Sequence, residues 1–164
     1  MKKQFSPLND ILLIFLSLVL FNCQFDPHAD QYTTTTPTSK DLVGTYILEA
    51  YHLPKNIQIK HSDVKLQLFA GGKFIATNIP PLSIYGADKN FFSTLVSGQG
   101  NWTMGSLGTL DPGNHTLWGV ILTDSANRFH SPIIRGDNAP YGLSFTLGDP
   151  DQGEAVLLQK QTEK

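Results

Sequence analysis

The sequence predicts an all-β fold, a single antiparallel β-barrel of about eight short strands. Three observations carry this. Apolar residues recur with a period of two rather than 3.6. Clusters of Gly, Pro, Asn and Asp punctuate the chain at short intervals. No segment after residue 40 shows the long apolar stripe of an amphipathic helix, and 88–96 has room for two turns at most.

The strands follow in order. Residues 42–51 open the domain. Val64, Leu66 and Leu68 then alternate with Lys65 and Gln67, the pattern of a half-buried strand. Ala70-Gly71-Gly72-Lys73 supplies a turn, and 74–79 returns as the hairpin partner. Residues 98–104, 116–123 and 129–134 add three more strands. Leu143, Phe145 and Leu147 alternate with Ser144 and Thr146. The run Gly148-Asp149-Pro150-Asp151-Gln152-Gly153 is turn chemistry, Pro fixing φ and Gly accepting a positive one. Residues 155–160 form the last strand. One connection, 80–96, is long for a hairpin, and such loops are commonly functional. Its Leu82, Ile84, Tyr85, Phe91, Phe92 and Leu95 make it too apolar for a solvated linker. It either caps one end of the barrel or lines a binding mouth.

The N-terminus has a different character. Met1-Lys2-Lys3 is a short positive region, followed by the apolar run 11–21 (ILLIFLSLVLF), which has signal-peptide length and is too short to span a bilayer. Leu20-Phe21-Asn22-Cys23 resembles the lipobox of bacterial type II signal peptides, and Cys23 is the only cysteine. That resemblance implies removal of residues 1–22 and acylation of Cys23, with palmitate among its chains. The result is a lipid-anchored protein of the cell envelope. Stable anchoring takes at least two acyl chains. Gln24 rather than Asp after the cysteine points to the outer membrane if the organism has one. An ordinary secretory leader and an uncleaved anchor helix are the alternatives. Residues 23–40, with Thr33 to Thr36 and few apolar groups, are expected to be a disordered spacer, and 41–162 the barrel domain.

Composition narrows the chemistry. Loss of residues 1–22 takes Lys2, Lys3 and Asp10, leaving ten Lys+Arg against thirteen Asp+Glu, a formal charge of −3. No basic run exists, so the electrostatic footprint of nucleic-acid binding is missing. With its one cysteine given to lipid, a monomer has no disulfide, Cys-based metal site or catalytic thiol.

Gly44-Thr45-Tyr46 at the start of the first strand resembles the Gly-x-Trp signature of lipocalins and related calycin barrels, and Gly100-Asn101-Trp102 repeats the pattern mid-chain. The resemblance implies a small lipocalin-like domain. In it a basic residue of the last strand, here Lys160, packs across the first-strand ring of Tyr46 and closes the barrel floor, as a cation over an aromatic face.

Candidate sites are sparse. His28, His52, His61, His115 and His130 are scattered, without metal-ligand spacing, and His28 falls in the spacer. Asp149, Asp151 and Glu154 suit a hairpin turn better than a calcium loop, because Pro150 interrupts them and the later bidentate Glu is missing. Ser62-Asp63-Val64-Lys65 matches Ser-x-x-Lys, yet its Lys lies in a strand and the companion motifs are missing. No nucleophile elbow or phosphate-cradling loop occurs. Trp102 and Trp118 read either as core or, with Leu82, Tyr85, Phe91 and Phe92, as lining of an apolar mouth. An eight-strand barrel either fills with side chains or admits one small ligand. The expected role is a non-catalytic, membrane-tethered binding module, without cofactor or metal, for a small apolar ligand or an envelope protein. A filled barrel acting through its surface and an enzyme whose residues meet only in space are the alternatives.

Overall fold

A computed structural model describes residues 26–55, 63–81, 95–110 and 115–162. The strands are β1 (Gly44–His52), β2 (Lys65–Phe69), β3 (Lys73–Ile79), β4 (Val96–Leu110), β5 (His115–Thr123), β6 (Ile133–Arg135), β7 (Gly142–Thr146) and β8 (Ala155–Lys160). Each pairs antiparallel with its neighbour in sequence, and β8 returns to β1 to close the barrel. Round the ring the register advances by about ten residues, the stagger of a strongly tilted barrel.

Alternation along each strand sorts side chains to the two faces. Tyr46, Leu66, Leu68, Phe74, Ala76, Trp102, Val120, Leu122, Leu143, Phe145, Val156 and Leu158 are buried together in the interior. Two glycines of β4 make this packing possible. A Cβ on Gly100 would lie 2.7 Å from the Phe74 ring, and one on Gly98 would lie 3.2 Å from Phe129. Room withheld from β4 is thus occupied by rings from elsewhere.

The start of β1 is equally constrained. Gly44 has φ +147°, and a Cβ there would meet Lys160 Cε at 2.6 Å. A one-turn helix (Ser39–Leu42), capped by the Thr38 side chain accepting from Asp41 N–H, precedes the strand and buries Leu42. Tyr46 Oη donates to the Leu42 carbonyl at 2.9 Å, so the ring fills the barrel while its hydroxyl ties down the helix. Burial pushes the Tyr46 phenol well above its usual range.

Residues 26–38 overturn the expectation of a disordered spacer. They form a strap folded over the outer wall at β6, β7 and β8. Thr33 N–H donates to Ile134 O at 3.0 Å, Gly136 N–H to Gln31 O at 2.8 Å, and Thr33 Oγ1 to Gly136 O at 2.6 Å. Tyr32 bridges Arg135 antiparallel. β5 pairs with β6 only at Gly119 and Ile133, so the strap takes up backbone groups of β6 that β5 does not reach. Tyr32 and Thr33 are 3% and 0% exposed, and the outward Ser144 beneath them is 0% exposed. Composition suggested disorder because Thr-rich segments have little apolar surface. Partners over a hundred residues away supply the missing burial and hydrogen bonds.

Two further expectations are corrected. Segment 129–134 is strand only at Ile133–Arg135; Phe129 instead belongs to the β5–β6 connection, in an isolated bridge to Pro81. β4 runs to Leu110, well beyond the expected 98–104, because its pairing with β5 continues past a bulge at Ser106 and Gly108.

Tyr46→Ala is expected to destabilise the domain by about 3 kcal/mol, from lost packing. Tyr46→Phe is expected to cost about 1 kcal/mol, from the lost hydrogen bond. Denaturant unfolding of both variants measures the two contributions separately.

Candidate functional site

The barrel has two unlike ends. At the end where β1 begins, Lys160 meets the helix at Ser39–Leu42, its Nζ donating to Asp41 O at 2.6 Å. Lys160 lies opposite Tyr46 in the β1–β8 register. The expected cation-over-ring stack is not what forms, however: the ammonium reaches past the ring to the helix carbonyl, and its stem fills the space above Gly44. Burial lowers the Lys160 pKa, and Asp41 opposes that shift. Lys160 and Gly44 meet at this end by packing, and Lys160 and Tyr46 each bond a backbone carbonyl of the 39–42 helix.

Trp102 also belongs to the closed end. Its Nε1–H donates to Phe69 O at 3.0 Å and its N–H to Gly72 O at 2.7 Å, both beside the β2–β3 turn. At 4% exposure it is core, not mouth lining. Trp118 is half-buried against the same core.

At the opposite end β1 hands over to 53–63 and β3 to 80–95. The expected lining residues Leu82, Tyr85, Phe91 and Phe92 lie outside the described residues, as does Cys23. What is described there is a plug. The β5–β6 connection turns Phe129 inward to 2% exposure, edge-on to Phe74 with ring centroids 5.1 Å apart. Asp124 fixes this connection by accepting Arg128 N–H and Nε–H, both at 2.8 Å, and Arg128 lies over the Phe129 ring at 5.3 Å. Those bonds, the backbone one foremost, hold the Asp124 carboxyl below its usual range. His130 follows, its ring edge-on to Phe145 and Nδ1 3.1 Å from Ser131 O. Burial favours its neutral form.

Among the described residues, open clefts lie on the rims and the outer wall. One of about 650 Å³ lies by Ser39, Val43, Gly71, Trp102 and Met104. Another of about 510 Å³ has Arg135, Glu49, Gln31 and Lys160 around it. There the Arg135 guanidinium is already engaged by the Glu49 carboxylate and by Gln31 Oε1 at 3.0 Å. A groove of about 490 Å³ separates the strap (Ala29, Tyr32) from the β4–β5 hairpin (Leu110, Leu117).

One pair of chemically active side chains escaped the sequence reading. His28 of the strap and His52 of β1 stand with ring centroids 4.9 Å apart, at an interplanar angle of 66°. His28 Nε2 is 3.0 Å from Gly153 O, and the residue is 7% exposed. The only signal in the sequence was a histidine within a polar segment, and it becomes informative only once the strap is known to fold back. Asp149 accepts Asp151 N–H and opens a 3₁₀ turn (Pro150–Gln152), which ends at Gly153 with φ +66°, the expected hairpin connection. No group of three or more His, Cys, Asp or Glu side chains able to hold a metal ion occurs among the described residues.

No family model, curated protein or solved structure matches this chain.

Phe129→Ala is expected to leave an apolar void at the plugged end. Such voids stay dry and admit benzene-sized probes, so the variant should bind benzene or xenon where the parent chain does not. NMR shift perturbation of Leu143 and Val156 methyls reads this directly.

Proposed function

We propose that this protein is a lipid-anchored, non-catalytic module of the cell envelope that works by contact through its outer surface. The observation that carries this reading is the filling of the described barrel interior by its own aromatic and aliphatic side chains, with Phe74, Phe129 and Phe145 at 2% exposure or less. A ligand seated at the barrel's centre would have to displace well-packed rings, each worth about 3 kcal/mol or more of stability. The partner is then an envelope protein that reads the barrel wall, and no cofactor is required.

Anchoring rests on Leu20-Phe21-Asn22-Cys23 after an apolar run of signal-peptide length. The docked strap supports a specific version of it. In a chain cleaved before Cys23, that residue lies three positions ahead of Asp26, so its acyl chains would hold the docked strap within about 10 Å of the lipid surface. A second reading, a small apolar ligand taken up at the mouth, is favoured by the apolar composition of 82–95.

Cys23→Ser is expected to block incorporation of labelled palmitate and release a folded domain, with unchanged melting temperature, into the soluble fraction. In-cell crosslinking should trap the tethered parent with one protein partner. Tryptophan-quenching titration with fatty acids and sterols should stay flat. Saturable quenching without a crosslinked partner would favour the mouth-ligand reading instead.

A further inference from the structure

β5 changes neighbours along its length. Its second half pairs with β6, but that ladder holds only Gly119 and Ile133. The next antiparallel step would set Trp118 opposite Ile134. There the Ile134 carbonyl accepts Thr33 N–H from the strap instead. The first half of β5, from His115 to Trp118, keeps β4 on one side. On its other side it has no ladder partner among the described residues. Val120 N–H reaches Pro132 O and Leu122 N–H reaches Ser131 Oγ, so the even-numbered residues of β5 aim their N–H groups at the β6 side. Alternation aims those of Thr116 and Trp118 the same way. Bare strand edges of this kind are templates for another extended chain.

Beside this edge lies the groove of about 490 Å³ between the strap and the β4–β5 hairpin. Leu110, Leu117 and Ile133, all half-buried, give it an apolar lining. Asp26 and Asp151 also line it, and no Lys or Arg does. Asp26 is met by two neutral donors, His28 N–H and Tyr32 Oη–H, and Asp151 is exposed. Neither carboxylate has an ion-pair partner among the described residues. We propose, building on the outer-surface reading above, that the His115–Trp118 edge and this groove are a docking site for an extended, cationic and apolar segment of a partner protein, added to the barrel as a strand beside β5. Backbone pairing with Thr116 and Trp118 supplies the attachment, and side chains supply the selectivity. Apolar side chains of the added strand meet Leu117 and Ile133, and cationic ones neutralise Asp151 and Asp26.

The test adds synthetic peptides of about six residues, alternating valine with lysine or valine with glutamate, to the full chain in mild detergent, with binding read by amide NMR. The valine–lysine peptide is expected to saturate and to slow exchange of the Thr116 and Trp118 amides about tenfold. The valine–glutamate peptide should bind about tenfold more weakly. Thr116→Pro removes one edge N–H and leaves the N–H groups that bond β4 in place, a change edge strands tolerate, and it should abolish binding. Asp151→Lys, at an exposed turn, should keep the fold and weaken valine–lysine binding about threefold. No saturable binding, protection of other strands instead, equal affinity for the two peptides, or an affinity unmoved in Asp151→Lys overturns the site. Binding retained by a folded Thr116→Pro does the same. Protection of 115–118 that rises with protein concentration in the absence of peptide assigns the edge to a second copy and overturns the peptide partner. In-cell crosslinking separates this site from the reading beneath it. A partner captured equally by the parent and Thr116→Pro sinks the edge alone, whereas no partner in the parent sinks surface contact as such.

Discussion

The interior volume of an eight-strand barrel is the constraint on which the rest of this molecule depends. The stagger fixes how wide the barrel is, and the space inside has to be filled or left as a cavity. Here β4 withdraws its own side chains at Gly98 and Gly100, and Phe74 and Phe129 enter the space they leave. Phe129 can do so only because its connection is drawn over the barrel end by Asp124, Arg128 and the bridge to Pro81. At the other end Tyr46 and the stem of Lys160 play the same part, and Gly44 is required because that stem lies against it. Glycines on the wall and rings in the middle are two halves of one packing solution.

Among the described residues the centre is filled, and the open clefts found lie on the rims and the outer wall. The buried outward-facing residues of β7 and β8 are a departure from simple alternation, since Ser144 and Leu157 would be solvated on an uncovered wall. The strap explains them. It serves as a partial extra strand for β6 and as a lid for the wall beside it, with Tyr32 lying over Ser144 and Thr146. The wall beneath the strap is therefore covered, with Tyr32 and Ser144 both buried at that contact.

Much of the barrel was legible because its signals are local. Alternation at 64–68 and 143–147, the Gly71-Gly72 turn and the Pro150 turn each specify their own structure. Gly44, Tyr46 and Lys160 could be linked through a resemblance, although the detail of the link, a backbone carbonyl rather than a ring, depends on where the Ser39–Leu42 helix comes to rest. Phe129 was read as strand because an isolated apolar residue near Ile133 and Ile134 has the same local appearance whether it pairs or plugs. The strap was illegible for a related reason: nothing within Thr33 to Thr36 announces that Ile134 and Gly136 will be its partners. His28 and His52 inherit that blindness, since neither is notable until the strap brings them together.

The seam between β1 and β8 has a consequence for how the chain comes to be folded. Asp41 and Lys160, joined across that seam, are 119 positions apart. The strand made first therefore waits for the one made last. Until the ribosome has delivered the final residues, the ring stays open, and its greasy inner face lacks a permanent neighbour. Topologies dominated by such distant pairings reach the native state slowly.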